Sequence, residues 1–263
     1  MTLPQTADAV VIGGGIIGTS IAFQLARMGA GKVVLVERKH LAAGATGLSC
    51  GLVRQYAGHA LDARLIARSI ETLQHFDDTV GGDCGWMRTG LLYLVAPAGL
   101  ESMVANITML KELGLKVSLV TPDEIRRLAP YLEVDEPMYG AYDPAAGYAD
   151  PYSTTMGLAD GARRYGSQVL QDTEVTGIRV EYGCVTGVHT SRGEIATPTV
   201  VNAAGPWGGV VAAMAGVATD MVPELHQVGT VEVPPEVAWP HLSVIDTLRY
   251  TYFRPETGRL TLI

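Results

Sequence analysis

A chain of 263 residues with 48% hydrophobic residues, 31 glycines and 14 prolines has room for one large domain or two closely associated ones, and it is too apolar to remain disordered. Its formal net charge is −8, and its Lys and Arg residues form no cluster. A nucleic-acid partner is therefore excluded, because phosphate contacts need concentrated positive charge.

The residues from Met1 to Asp8 carry no basic side chain, so no signal peptide is read there, and the expected location is cytoplasmic. Ala9-Val10-Val11-Ile12 is a β-branched run that predicts a strand buried on both faces. A glycine loop, Gly13-Gly14-Gly15-Ile16-Ile17-Gly18, follows. Ile16 to Met28 predicts a helix with Ile17, Ile21, Leu25 and Met28 on one face, stopped by Gly29 and Gly31. Val33 to Val36 predicts a second buried strand, parallel to the first because the crossover is helical.

Leu41 to Gly51 is rich in small residues and reads as a loop. Leu61 to Thr79 has helical spacing at Leu61, Leu65, Ile66, Ile70 and Leu73; Trp86 to Val95 predicts a strand and Met103 to Leu113 a helix. Pro122 opens another helix, and Ser153 to Tyr165 predicts one more. From Gln168 short strands follow, with turns at Gly183 and at Ser191-Arg192-Gly193-Glu194. Thr199 to Ala218 is apolar, but Asn202, Pro206 and its glycines predict a buried strand, a turn and a short helix rather than a membrane span. The segment from Val222 reads as strands and stops in mid-strand at Ile263. Cys50, Cys84 and Cys184 form no paired motif and predict buried thiols in a reducing compartment; the six histidines show no ligand spacing, so no metal is expected.

Three glycines in the loop have distinct physical tasks. Gly13 permits the tight turn from strand to helix, Gly15 lets backbone approach a pyrophosphate, and Gly18 lets the helix lie close to the strand. The helix start supplies free N–H groups and the positive end of a dipole. Glu37, at the end of the second strand, stands where an acid binds ribose hydroxyls. Together they predict a dinucleotide site, with FAD and NAD both admitted by the loop itself.

Further along, the runs AVVIGGGIIGTSIAFQLA (Ala9 to Ala26), VVLVER (Val33 to Arg38), GATGLSCGLVRQ (Gly44 to Gln55), RTGLLYL (Arg88 to Leu94), VVNAAGPW (Val200 to Trp207) and TYFRPETG (Thr251 to Gly258) occur in order. In this the sequence resembles the D-amino-acid-oxidase-like superfamily of FAD-dependent oxidoreductases, on the side of the sarcosine oxidase beta subunit, glycine oxidase and dimethylglycine dehydrogenase. The resemblance implies an α/β fold: a Rossmann-like FAD-binding domain with a parallel sheet (1–80 and 145–221), interleaved with an α+β substrate domain of mainly antiparallel sheet (81–144 and 222–263).

It further implies that Gly13, Gly15, Ile16, Ile17 and Gly18 hold the nucleotide, that Glu37 and Arg38 sit at its adenosine end, and that Ala45 and Thr46 meet the pyrophosphate or ribityl chain. Gly51, Leu52 and Val53 would pass beside the flavin ring, Val175 would meet adenine through its backbone, and Ala203 and Gly205 would form a second nucleotide-side motif. Arg54 is implied close to the ring, and Tyr250, Tyr252 and Arg254 are implied either to face the substrate, Tyr252 foremost, or only to brace the sheet. Where some relatives have a covalently linked histidine this sequence has Leu48, which implies FAD held non-covalently.

The implied activity is oxidation of the C–N bond of a small amine or amino acid, sarcosine- or glycine-like, by hydride transfer to flavin N5, with O2 or a carrier as acceptor. Two other readings stand beside it: a truncated flavin-binding chain that is inactive without a C-terminal segment or partner subunit, and an NAD-dependent dehydrogenase.

Overall fold

The computed structural model describes residues 2–134 and 137–263. In chain order the elements are β1 (Ala9–Ile12), α1 (Ile16–Arg27), β2 (Val33–Val36), β3 (Leu52–Val53), α2 (Ala60–Gln74), α3 (Phe76–Thr79), β4 (Leu91–Val95), α4 (Leu100–Glu112), β5 (Ser118–Val120), α5 (Pro122–Leu128), β6 (Tyr139–Asp143), β7 (Gly147–Tyr148), α6 (Pro151–Arg164), β8 (Gln168–Leu170), β9 (Val175–Glu181), β10 (Cys184–Thr190), β11 (Gly193–Ala196), β12 (Val200–Asn202), α7 (Gly208–Met214), β13 (Thr230–Glu232), β14 (Ser243–Asp246), β15 (Thr251–Glu256) and β16 (Leu260–Leu262). They form two compact units: residues 1–49, 77–84 and 150–225, and residues 50–76, 85–149 and 226–263.

The first unit is built on a parallel sheet of order β12-β1-β2-β8. Val10 pairs with both Val34 and Val200, and all four residues of β1 and of β2 are buried. Each buried Val, Ile or Leu among them contributes about 2 kcal/mol by leaving water. Helix α1 ends as expected: Gly29 takes φ 74°, Gly29 N donates to Ala26 O and Ala30 N to Leu25 O, the bonding of a Schellman stop. Its buried face differs from the expected one. Gly18, Thr19, Ala22, Phe23 and Ala26 face inward, while Ile17 and Met28 are 62% and 80% exposed. Small residues win that face because they let the helix approach its neighbours closely. A Cβ on Gly161 of α6 would lie 2.8 Å from the Phe23 ring. An antiparallel sheet, β11-β10-β9, completes the unit.

The second unit carries a seven-stranded sheet of order β13-β16-β15-β14-β4-β6-β5, antiparallel except where β14 runs parallel to β4. Helix α5 opens at Pro122 behind a capping box of Thr121 and Glu124. Residues 50–76, expected with the nucleotide loop, fall in this unit. The reason is pairing and packing: β3 pairs with β7, and Ala63 of α2 joins the core of Met103, Ile107 and Leu110 from α4.

Other expectations are corrected. Within α2, Ala63 and Ile70 are buried, whereas Leu61 and Leu65 are exposed. The strand expected from Trp86 begins only at Leu91, because Gly85 and Gly90 take positive φ before it. Gly193-Glu194, expected as turn, opens strand β11 and pairs with His189 and Thr190. The strands expected from Val222 begin only at β13, with no named element among the described residues between α7 and Thr230. Only Cys84 is a buried thiol; Cys50 is half-buried and Cys184 exposed. Residues 199–218 form β12 and α7 as expected, and no helix among the described residues is long and apolar enough to cross a membrane.

Candidate functional site

The glycine loop leaves β1 and enters α1 through Gly15, an extended N-cap with no side-chain hydrogen bond, and the first turn of the helix carries no acid. No acid of the helix's own first turn therefore neutralises its N–H groups, although Ile16 N is taken by Thr46. Gly13 takes φ 114°, and a Cβ there would overlap Ala203 O. A Cβ on Gly18 would overlap Gly13 O, and one on Gly15 would stand 2.9 Å from Thr46 Oγ1. All three positions thus require glycine for space, as a surface built for close backbone approach does.

Glu37 closes the loop from below. Its Oε2 accepts from Gly14 N at 2.7 Å and its Oε1 from Lys39 N at 2.8 Å. Thr46 reaches back, its Oγ1 accepting from Ile16 N at 3.1 Å. The loop from Leu41 is held by Gln171, whose Oε1 accepts from Leu41 N at 2.8 Å. Ala203 N donates to Ile12 O at 2.9 Å, tying the segment after β12 to the end of β1.

A cavity of about 230 Å³ opens among these elements. Its walls include Gly13, Gly15, Glu37, Arg38, Ala45, Val175, Ala203 and Gly205. Ile16, Ile17, Gly18 and Thr46 do not line it: Gly18 is buried beneath the loop, and the Ile17 side chain faces solvent. Sequence reasoning missed Trp207, which also lines the cavity and lies under the Arg38 guanidinium, 4.0 Å from ring centroid to carbon. An aromatic directly after the Gly205-Pro206 turn was its available signal. A larger cleft of the same unit, about 750 Å³, is lined by Asp77, Asp78, Asp83 and Asp160. Those carboxylates repel a pyrophosphate, so the smaller cavity is the candidate site.

The remaining expected residues, Gly51, Leu52, Val53, Arg54 and Tyr252, belong to the second unit. Gly51 takes φ 63° and its carbonyl accepts from Ala149 N at 3.1 Å. Leu52 and Val53 pair with Tyr148 and Gly147. Arg54 donates through Nη1 to Tyr56 O and lies 5.7 Å from the Tyr93 ring centre. Burial, and after it the neighbouring Cys50, pushes the Tyr252 phenol above its ordinary value. Buried Asp143 accepts from Gln55 N through Oδ2 and from Ala145 N and Ala146 N through Oδ1, at 3.0 and 3.2 Å. Gln55 Oε1 is buried and has no hydrogen-bond partner among the described residues. Tyr250 is 95% exposed at φ 53° and lies outside β15.

Against known proteins, the family model described as "DAO: FAD dependent oxidoreductase" matches residues 8–263. The chain belongs to this family of FAD-dependent oxidoreductases, and FAD is the family's cofactor. It is 35% identical over 232 residues to the mitochondrial sarcosine dehydrogenase of Homo sapiens, covering 85% of this chain and 25% of that protein. To the mitochondrial dimethylglycine dehydrogenase of Rattus norvegicus it is 32% identical over 232 residues, covering 88% of this chain and 27% of that one. The chain thus spans about a quarter of the length of these relatives. Among solved structures, L-proline dehydrogenase from P. horikoshii superposes with a TM-score of 0.88 at 29% identity, covering 99% of this chain and 70% of that one. Glycine oxidase from Bacillus cereus gives 0.78 at 25% identity, covering 98% and 70%. The α/β fold with parallel and mainly antiparallel sheets and the family expected from the sequence are those found.

Proposed function

We propose that this chain binds FAD non-covalently and belongs to an enzyme that oxidises the C–N bond of a small amine or amino acid. The observation that carries the reading is the glycine-lined cavity of the first unit, set at a helix start whose N-cap is Gly15 and floored by Glu37. The names of the relatives (sarcosine, dimethylglycine, proline and glycine enzymes) support the substrate class.

In this reading the N–H groups at the start of α1 that Thr46 does not take hold the pyrophosphate, and the side-chain-free backbone of Gly13 to Gly15 lets it approach. Glu37 and Arg38 face the adenosine ribose, and Val175, Ala203 and Gly205 form the opposite wall. Non-covalent binding is supported by Leu48, an exposed aliphatic side chain where a linking group would be needed. When bound, the flavin supplies the redox chemistry by accepting a hydride from the carbon beside the amine. The chain's own part is orientation and charge. Gly51, Leu52 and Val53 present backbone rather than bulk, and Arg54 brings a permanent positive charge. Tyr252, whose raised phenol keeps its proton at neutral pH, offers a hydroxyl that orients a carboxylate or amine.

The test is a visible spectrum of the purified protein, then anaerobic titration with sarcosine, N,N-dimethylglycine, L-proline and glycine. Flavin bands lost to the supernatant on acid treatment, and bleached by at least one of these amines, are the expected result. A colourless protein that does not take up FAD overturns the cofactor assignment. A yellow protein that no amine bleaches overturns the reaction and leaves a flavin binder. The three free cysteines support a reducing compartment.

A further inference from the structure

The segment Cys50 to Tyr56 has little regular structure of its own; only Leu52 and Val53 pair, and with just two partners. Yet it is gripped at both ends by buried charged side chains from distant parts of the second unit. At its start, Arg254 is 4% exposed. Arg254 Nε donates to Cys50 O, Nη1 donates to Pro255 O at 2.8 Å, and Nη2 donates to Glu256 Oε2 at 3.0 Å. The guanidinium also lies 4.1 Å from the Tyr148 ring centre, and Tyr148 is the strand partner of Leu52. At its end, the fully buried Asp143 accepts from Gln55 N and is anchored by Ala145 N and Ala146 N. Both carboxylate oxygens face only N–H donors, as suits an ionised acid.

Burying two charges to hold seven residues is costly unless the backbone geometry between them matters. We infer that Arg254 and Asp143 are positioning residues, a two-ended clamp that fixes the backbone of Gly51 to Val53 and the Arg54 charge for the flavin. The inference rests on the proposed function, which assigns this segment to the ring. The nucleotide-half residues Gly13, Glu37 and Val175 belong to the other unit.

That division supplies the test. ADP and FAD affinities and the bound-flavin spectrum are measured for wild type, Arg254→Met, Arg254→Lys and Asp143→Asn, with far-UV circular dichroism checking the fold. ADP binding is expected to match wild type in every variant. FAD is expected to bind about tenfold more weakly to Arg254→Met and Asp143→Asn, the loss of one charge-assisted hydrogen bond, with a shifted flavin band. Arg254→Lys, which keeps the charge, recovers part of both. Should Arg254→Met not fold, Asp143→Asn and Arg254→Lys carry the measurement. Wild-type FAD affinity and spectrum in the folded variants overturn the clamp. Equal weakening of ADP and FAD overturns it too, by marking general destabilisation. A wild-type protein that binds no ADP removes the dinucleotide reading itself, and the clamp with it.

Discussion

The Gly13–Gly18 loop and the Cys50–Tyr56 segment are held by opposite means. The loop is defined by missing side chains: at Gly13, Gly15 and Gly18 a Cβ has no room, and the N-cap Gly15 offers the helix start no side chain of its own. The segment is defined by side chains that arrive from far away, Asp143 and Arg254. A site made of bare backbone binds through dipoles that need no titration, whereas one held by buried charges inherits their dependence on pH and on intact partners.

Substitution in the loop gives the largest effect. Gly13→Ala combines a positive φ with overlap on Ala203 O, and should cost about 3 kcal/mol of stability and more than about 100-fold in ADP affinity. Thermal unfolding and calorimetric ADP titration read both; near-normal ADP binding would remove the contrast between the two regions. Glu37→Ala comes next. It strips the acceptor from Gly14 N and Lys39 N, so ADP should bind about tenfold more weakly. The flavin band of FAD-loaded protein should be unchanged, which separates this site from the clamp.

The pH dependence sharpens the second half of the comparison. Burial holds Asp143 above its ordinary 3.8, although its amide donors pull it back. Between that value and the higher folded one, the native state binds the proton that the unfolded chain has released, so Asp143's contribution makes stability fall as pH rises through the window. His241 works the other way: burial lowers it from 6.5, so the unfolded chain protonates first and stability falls as pH drops below 6.5. Urea midpoints across pH should therefore show Asp143→Asn flattening the first slope and His241→Asn the second. The smallest effect is expected at the rim. Arg38→Ala removes a stack on the exposed face of Trp207, worth about 0.5–1 kcal/mol, and should weaken ADP binding only two- to fivefold.

Legibility in the sequence follows the same line. Strands β1 and β2, the glycine loop and Glu37 are readable because each is specified by neighbours within one βαβ unit. The inward face of α1 was not, because large Ile17 and Met28 outweigh Ala22 and Ala26 in a hydrophobic pattern, while close packing favours the small ones. Strand β11 was hidden by the turn-like Gly193-Glu194. The clamp was unreadable: Asp143 lies 88 residues from Gln55, and Arg254 204 residues from Cys50, so no local pattern links them.

The pairing of Val10 with Val200 carries a consequence for synthesis on the ribosome. The nucleotide loop emerges well before Ala203, which bonds to Ile12. During elongation β1 and β2 can associate early, but the far wall of the cavity arrives only once residues 200–205 have left the exit tunnel. A nascent chain stalled before β12 should thus fail to retain ADP, and one stalled well after α7 should retain it. Nucleotide capture would then report that the first unit's sheet has closed.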